Sequence, residues 1–131
     1  RVLPTDWSRD EQVLLARRAS DSALVTCAAP DFDCSAVMDD GEPVRGAIPR
    51  WSADETRIFF RRARGDRPGH AEIWVVPREG GPPGRVAEIG PYQPSSMYFG
   101  VTRDDRIVWN QYDSRGISEI WTSGGRGQSG R

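Results

Sequence analysis

The sequence contains no lysine; all 18 of its basic residues are arginine. Against 19 acidic residues they leave a formal net charge of −1. That balance argues against nucleic acid as a general partner, because neutralising phosphate takes a surplus of positive charge. Asp and Glu are interleaved with the arginines throughout, so the arginine preference reads as GC-rich codon bias and not as an anion-binding surface. Long apolar runs are also missing. No stretch of about 18 apolar residues occurs, so no membrane-spanning helix is expected. The first residues, Arg1-Val2-Leu3-Pro4, have no apolar core of a signal peptide. The expectation is that a leader has been removed or that the chain belongs to a longer product.

Histidine occurs once, as His70 in Arg67-Pro68-Gly69-His70, with no partner at catalytic or metal-ligand spacing. No Gly-x-Ser-x-Gly nucleophile elbow is present to pair with it. The expectation is therefore no catalytic residue, no metal and no cofactor. Cysteine is nearly absent as well. Cys27 and Cys34 stand seven apart, which is not the C-x-x-C spacing of a zinc or redox site. Two readings remain open. One is a disulfide closing a small turn that contains Pro30 and Asp31, which implies an oxidising compartment. The other is a pair of small buried thiols.

What the sequence does have is internal repetition, with a period of the kind that marks stacked structural units. Trp7-Ser8-Arg9-Asp10-Glu11, Trp51-Ser52-Ala53-Asp54-Glu55 and Val101-Thr102-Arg103-Asp104-Asp105 align, each followed by a short apolar run. Asp10 and Asp54 are 44 residues apart, and Asp54 and Asp104 are 50 apart. A second landmark recurs in the same order: Glu72-Ile73-Trp74 and Glu119-Ile120-Trp121, 47 residues apart. The runs Val13-Leu14-Leu15, Ile58-Phe59-Phe60 and Ile107-Val108-Trp109 are bounded by charge and read as well-buried strands. Fourteen glycines and ten prolines, with no 3.6-residue periodicity, argue against long helices. The boundaries expected are 4–46, 47–92 and 93–123, with a flexible tail over 124–131 and no clear last strand after Trp121.

Asp10, Asp54 and Asp104 read as turn residues that accept backbone N–H groups. The five tryptophans, Trp7, Trp51, Trp74, Trp109 and Trp121, read as core packed between repeats. The acidic segments Asp31-Phe32-Asp33 and Asp39-Asp40-Gly41-Glu42 lack EF-hand spacing and read as solvated loops.

These repeats resemble the WD40-like repeat of TolB-type β-propellers, which runs roughly Pro-x-Trp-Ser-Pro-Asp-Gly, strand, polar turn, Ile-Tyr or Ile-Trp, Gly-rich turn. Pro49-Arg50-Trp51-Ser52-Ala53-Asp54, then Glu72-Ile73-Trp74-Val75-Val76 and Gly80-Gly81, carry the match best, and it extends from about Pro4 to Trp121. The glycine after Asp is replaced by Glu11, Glu55 and Asp105, so the turn is either built differently or strained. The resemblance implies an all-β fold of about three antiparallel four-stranded blades in an incomplete ring. It is most like the C-terminal part of a longer propeller, whose last blade is closed by a strand from the other end.

Closed propellers use about four to eight blades, so three leave blade faces open, and exposed apolar faces mark interaction sites. The expected partner is a protein: another subunit, the missing blades, or a second copy. The resemblance implies a non-catalytic scaffolding module, an accessory subunit in a periplasmic or other extracytoplasmic assembly. Two alternatives stand beside it. One is the propeller part of a prolyl-oligopeptidase-type serine peptidase. The other is the sensor domain of a membrane kinase or regulator.

Overall fold

The computed structural model describes residues 1–91, 98–112, 118–122 and 125–126. Every regular element among them is a β-strand. The first sheet is antiparallel in the order β1 (Val2–Trp7), β2 (Val13–Arg18), β3 (Leu24–Ala28), β4 (Asp33–Ala36). A small hairpin follows, β5 (Met38–Asp39) with β6 (Glu42–Pro43). The second sheet orders β7 (Ala47–Trp51), β8 (Arg57–Ala63), β9 (Ala71–Pro77) and β10 (Gly84–Ile89). The third orders β11 (Phe99–Val101), β12 (Ile107–Tyr112), β13 (Ser118–Thr122) and β14 (Gly125–Arg126). This is the all-β, blade-repeat architecture that the repeats imply.

The apolar triplet of the middle blade is continuous because that sheet is buried on both faces. In the middle blade, Ile58 and Phe60 point towards the first blade and pack with Leu15, Leu24, Val37, Val44, Trp51 and Val76. Phe59, one residue out of phase, joins Ala71, Ile73, Ile89, Phe99, Ile107 and Trp109 against the third blade. A strand with only one buried face would alternate apolar with polar; this one cannot. The tryptophan landmark is structural too. Phe60 pairs with Trp74 and Trp109 pairs with Trp121, so the two late tryptophans occupy the same register position.

Several details depart from expectation. β1 begins at Val2, and Val2 and Leu3 pair with Arg18 and Arg17, although the repeat pattern starts only at Pro4. Trp121 and Thr122 pair with Arg126 and Gly125, so a fourth strand does follow Trp121; a two-residue strand is too short to show a pattern. Residues 124 and 127–131 of the expected tail lie outside the described residues, as does the segment 113–117, where a turn is expected. Among the described residues, each four-stranded sheet is built from contiguous sequence, and none borrows a strand from another part of the chain. Trp7 does not join a core: it is 50% exposed, because it stands on the face of the first blade against which no other described sheet packs.

Candidate interaction surface

The three Ser/Thr-x-Asp segments fold into the same turn between the first and second strands of each blade. Ser8 Oγ donates to Asp10 at 2.7 Å and accepts the Val13 N–H at 3.0 Å. Ser52 Oγ donates to Asp54 at 2.9 Å and accepts the Arg57 N–H at 3.0 Å. Thr102 Oγ1 donates to Asp104 and accepts the Arg106 N–H at 2.9 Å. Asp10 and Asp54 also accept the N–H groups of Gln12 and Thr56, both at 3.1 Å. The serine hydroxyls must be satisfied here, since Ser8 and Ser52 are buried. These bonds to the ionised form hold all three carboxyls below the ordinary aspartate value of 3.8, led in Asp10 and Asp104 by the hydroxyl and in Asp54 by Thr56.

The residue after each Asp stands in the left-handed region: φ is 59° at Glu11, 62° at Glu55 and 62° at Asp105. The turn thus takes a backbone conformation that favours glycine, held here by residues that carry a Cβ, at a cost on the order of 1 kcal/mol each. Two of the three, Glu55 and Asp105, make a bond across the blade boundary. Glu55 Oε2 accepts the N–H of Arg9 at 2.7 Å, and Asp105 Oδ1 accepts the N–H of Ala53 at 2.7 Å. Asp105 also pairs with Arg57 at 2.6 Å. The donors at Arg9 and Ala53 are backbone N–H groups, which every residue but proline has. The recurrent Glu11, Glu55 and Asp105 can be read in the sequence; the backbone N–H that bonds Glu55 or Asp105 leaves no side-chain signature there.

The inner strands are tied by a second set of bonds. Thr5 Oγ1 donates to the Pro49 carbonyl at 2.8 Å, and Arg50 donates back to the Thr5 carbonyl at 3.1 Å. The Trp51 N–H reaches the Asp6 carboxylate at 3.0 Å.

Each end of the stack presents an edge. On the first blade, Trp7 packs edge-on against Phe32, with ring centroids 5.6 Å apart, beside the exposed Glu11. On the third blade, Tyr98 and Ile120 are 60% and 44% exposed and, with Val108 and Asn110, line a hollow of about 270 Å³. By contrast Trp51 and Trp109 are buried, and Trp74 and Trp121 pack partly buried against the two cores. Arg78 lies over Trp51 at 4.8 Å.

Elsewhere the chemistry is structural. Cys27 and Cys34 face each other across β3 and β4 and are joined by a disulfide, with sulfurs 1.96 Å apart. His70 sits in the β8–β9 turn; burial lowers its pKa, and Arg67 adds to the effect. Arg62 lies over the rings of Trp74 and Phe60, at 4.8 and 5.1 Å. Among the described residues, no group of three or more His, Cys, Asp or Glu is placed to hold a metal.

The bladed sheets and their open edges define the class: a β-propeller fold of three blades in an open ring. No family model matches the chain, and no curated protein matches it in sequence. Among solved structures, it is similar to the β-propeller domain of the Trilobed protease from Pyrococcus furiosus, described as having an open velcro topology. The TM-score is 0.56 at 16% identity, and the match covers 92% of this chain but only 37% of that one. At this identity the likeness bears on fold alone.

Proposed function

We propose that this chain is a non-catalytic protein-interaction module of the TolB-like repeat type, acting as a scaffold or accessory subunit outside the cytoplasm. The observation that carries the reading is the pair of apolar edges, Trp7 with Phe32 at one end and Tyr98 with Ile120 at the other. Side chains of that size left in water at a blade edge favour covering by another protein surface. The Cys27–Cys34 disulfide supports an oxidising compartment.

The test is capture by crosslinking in the source cells, comparing the wild-type chain with a Trp7→Ser/Tyr98→Ser double variant. Specific partners that the variant loses are expected. A partner set indifferent to both substitutions would sink the reading.

A second reading has one observation in its favour: the similar structure is a propeller domain of a protease. On that reading the chain is the propeller part of a larger serine peptidase, and the chemistry resides in another domain. A hydrolase domain with a nucleophile elbow in the same gene decides for it, and a gene without one decides against it.

A further inference from the structure

We infer that the two edges are complementary halves of one docking site and that a second copy of the chain fills it. Glu11 of each copy accepts the Arg103 N–H of the other. The inference rests on the interaction-module reading and names its partner.

The contact in question is one the chain already makes twice. At both internal boundaries, the earlier blade gives the N–H between Ser and Asp, and the later blade gives the acid in the left-handed position. The polarity is the same each time. One half of this contact is left over at each end. Glu11 has the same φ as Glu55 and Asp105, within a few degrees, and among the described residues its carboxylate has no donor. The Arg103 N–H, equivalent to those of Arg9 and Ala53, has no acceptor among the described residues. Glu11 and Arg103 are exposed, whereas Glu55 and Asp105 are partly covered by the blade they bond to.

Polarity then selects the geometry. Two copies meeting through the same edge would set Glu11 against Glu11, or one amide against another. Head-to-tail pairing puts acid on amide at both junctions, and with two copies it closes as a two-fold ring in which each edge meets the opposite edge of the other copy. Two copies of three blades make six, inside the range of about four to eight found in closed propellers. The same pairing sets Trp7 and Phe32 against Tyr98, Val108 and Ile120, as Ile58 and Phe60 are set against Leu15 and Leu24 inside the chain. Further blades of a longer product, or an unlike protein, are the other possible occupants.

The test is sedimentation equilibrium on the 131-residue chain, as wild type, Glu11→Gly, Arg103→Pro and the double variant. Both substitutions suit the turn. Glycine is at ease at positive φ. Proline is favoured at the first central position of a turn such as Thr102–Asp105, which the Asp105 N–H closes onto the Thr102 carbonyl at 3.0 Å. Each removes one half of the contact and leaves the blade intact.

The expected result is a dimer whose Kd rises about a hundredfold in either single variant. Each substitution breaks both junctions of the ring, at about tenfold per charge-assisted bond. The double variant should be no weaker than the singles, since the contact is already gone. A dimer indifferent to both substitutions would overturn the assignment. So would a wild-type chain that is a folded monomer at every concentration, or one that is unfolded on its own. In those last two cases, crosslinked partners lost on the Trp7→Ser/Tyr98→Ser variant would leave the interaction-module reading standing with a different occupant.

Discussion

The backbone N–H of Trp51 donates to the Asp6 carboxylate at 3.0 Å, joining the innermost strands of two blades across 45 residues of sequence. A bond of a buried amide to a charged acceptor contributes more than a neutral one, and removing one partner strands the other. Asp6→Ala is expected to destabilise the chain by about 1–3 kcal/mol. Urea denaturation should show this as a lower midpoint with an unchanged slope; an unchanged midpoint counts against the inner-strand tie.

Trp51 and Trp7 hold equivalent positions in adjacent repeats, yet one is buried and the other half-exposed. Trp51→Ala should therefore cost about 3–5 kcal/mol, the usual range for emptying an aromatic from a core. Trp7→Ala should cost far less in the isolated monomer, about 1 kcal/mol or below. Equal losses in thermal stability would mean that the first blade's outer face is not an edge.

Gly46 lies where a Cβ would run into the ring of Phe60 and come within 3.1 Å of the Arg61 carbonyl. Phe60 is wholly buried and has no room to yield. Gly46→Ala is expected to lose about 1–3 kcal/mol by overpacking. Gly65, where an added methyl would meet nothing within 4 Å, is the control. Gly65→Ala should stay within about 0.5 kcal/mol of wild type.

The turn carboxylates predict an acid limb. Asp10 and Asp104 are held below the ordinary 3.8, and Asp54 is held at about 2. A carboxyl whose pKa is depressed by folding adds stability above its ordinary value and loses it as pH falls through the folded one. Unfolding temperature should thus decline between about pH 4 and pH 2. Asp54→Asn should be less stable than wild type at neutral pH and flatter across that window. A wild-type melting temperature unchanged down to pH 2 would contradict the bonding at these turns.

The blades were legible in the sequence because their period is carried by residues with fixed structural jobs. Ser8, Ser52 and Thr102 close the turn, the Asp two residues on accepts from it, and the apolar triplet fills both blade faces. Trp74 and Trp121 could be aligned because each occupies one register position. The edges were less legible. Nothing local distinguishes Trp7 from Trp51; the difference is whether another blade stands in front. Nor does Arg9 announce itself, because half of its part in the boundary is played by a backbone N–H, which every residue but proline possesses, beside a guanidinium that donates to the Ala53 carbonyl at 2.6 Å.

That boundary bond also constrains how such a sequence can change over generations. Arg9 and Glu55 are 46 positions apart, and Ala53 and Asp105 are 52 apart, each pair split between neighbouring blades. A proline at position 9 would leave the Glu55 carboxylate without its donor, and a glycine at 55 would leave the Arg9 amide without its acceptor. Neither half of the Arg9–Glu55 bond forms without the other, whereas Asp105 keeps Arg57 as a second partner, so the tie between positions is tighter at the first boundary. In an alignment of relatives, positions 9 and 55 should change as a unit, N–H donor with acid, at a separation of one blade. The mixed combinations should be the rare ones.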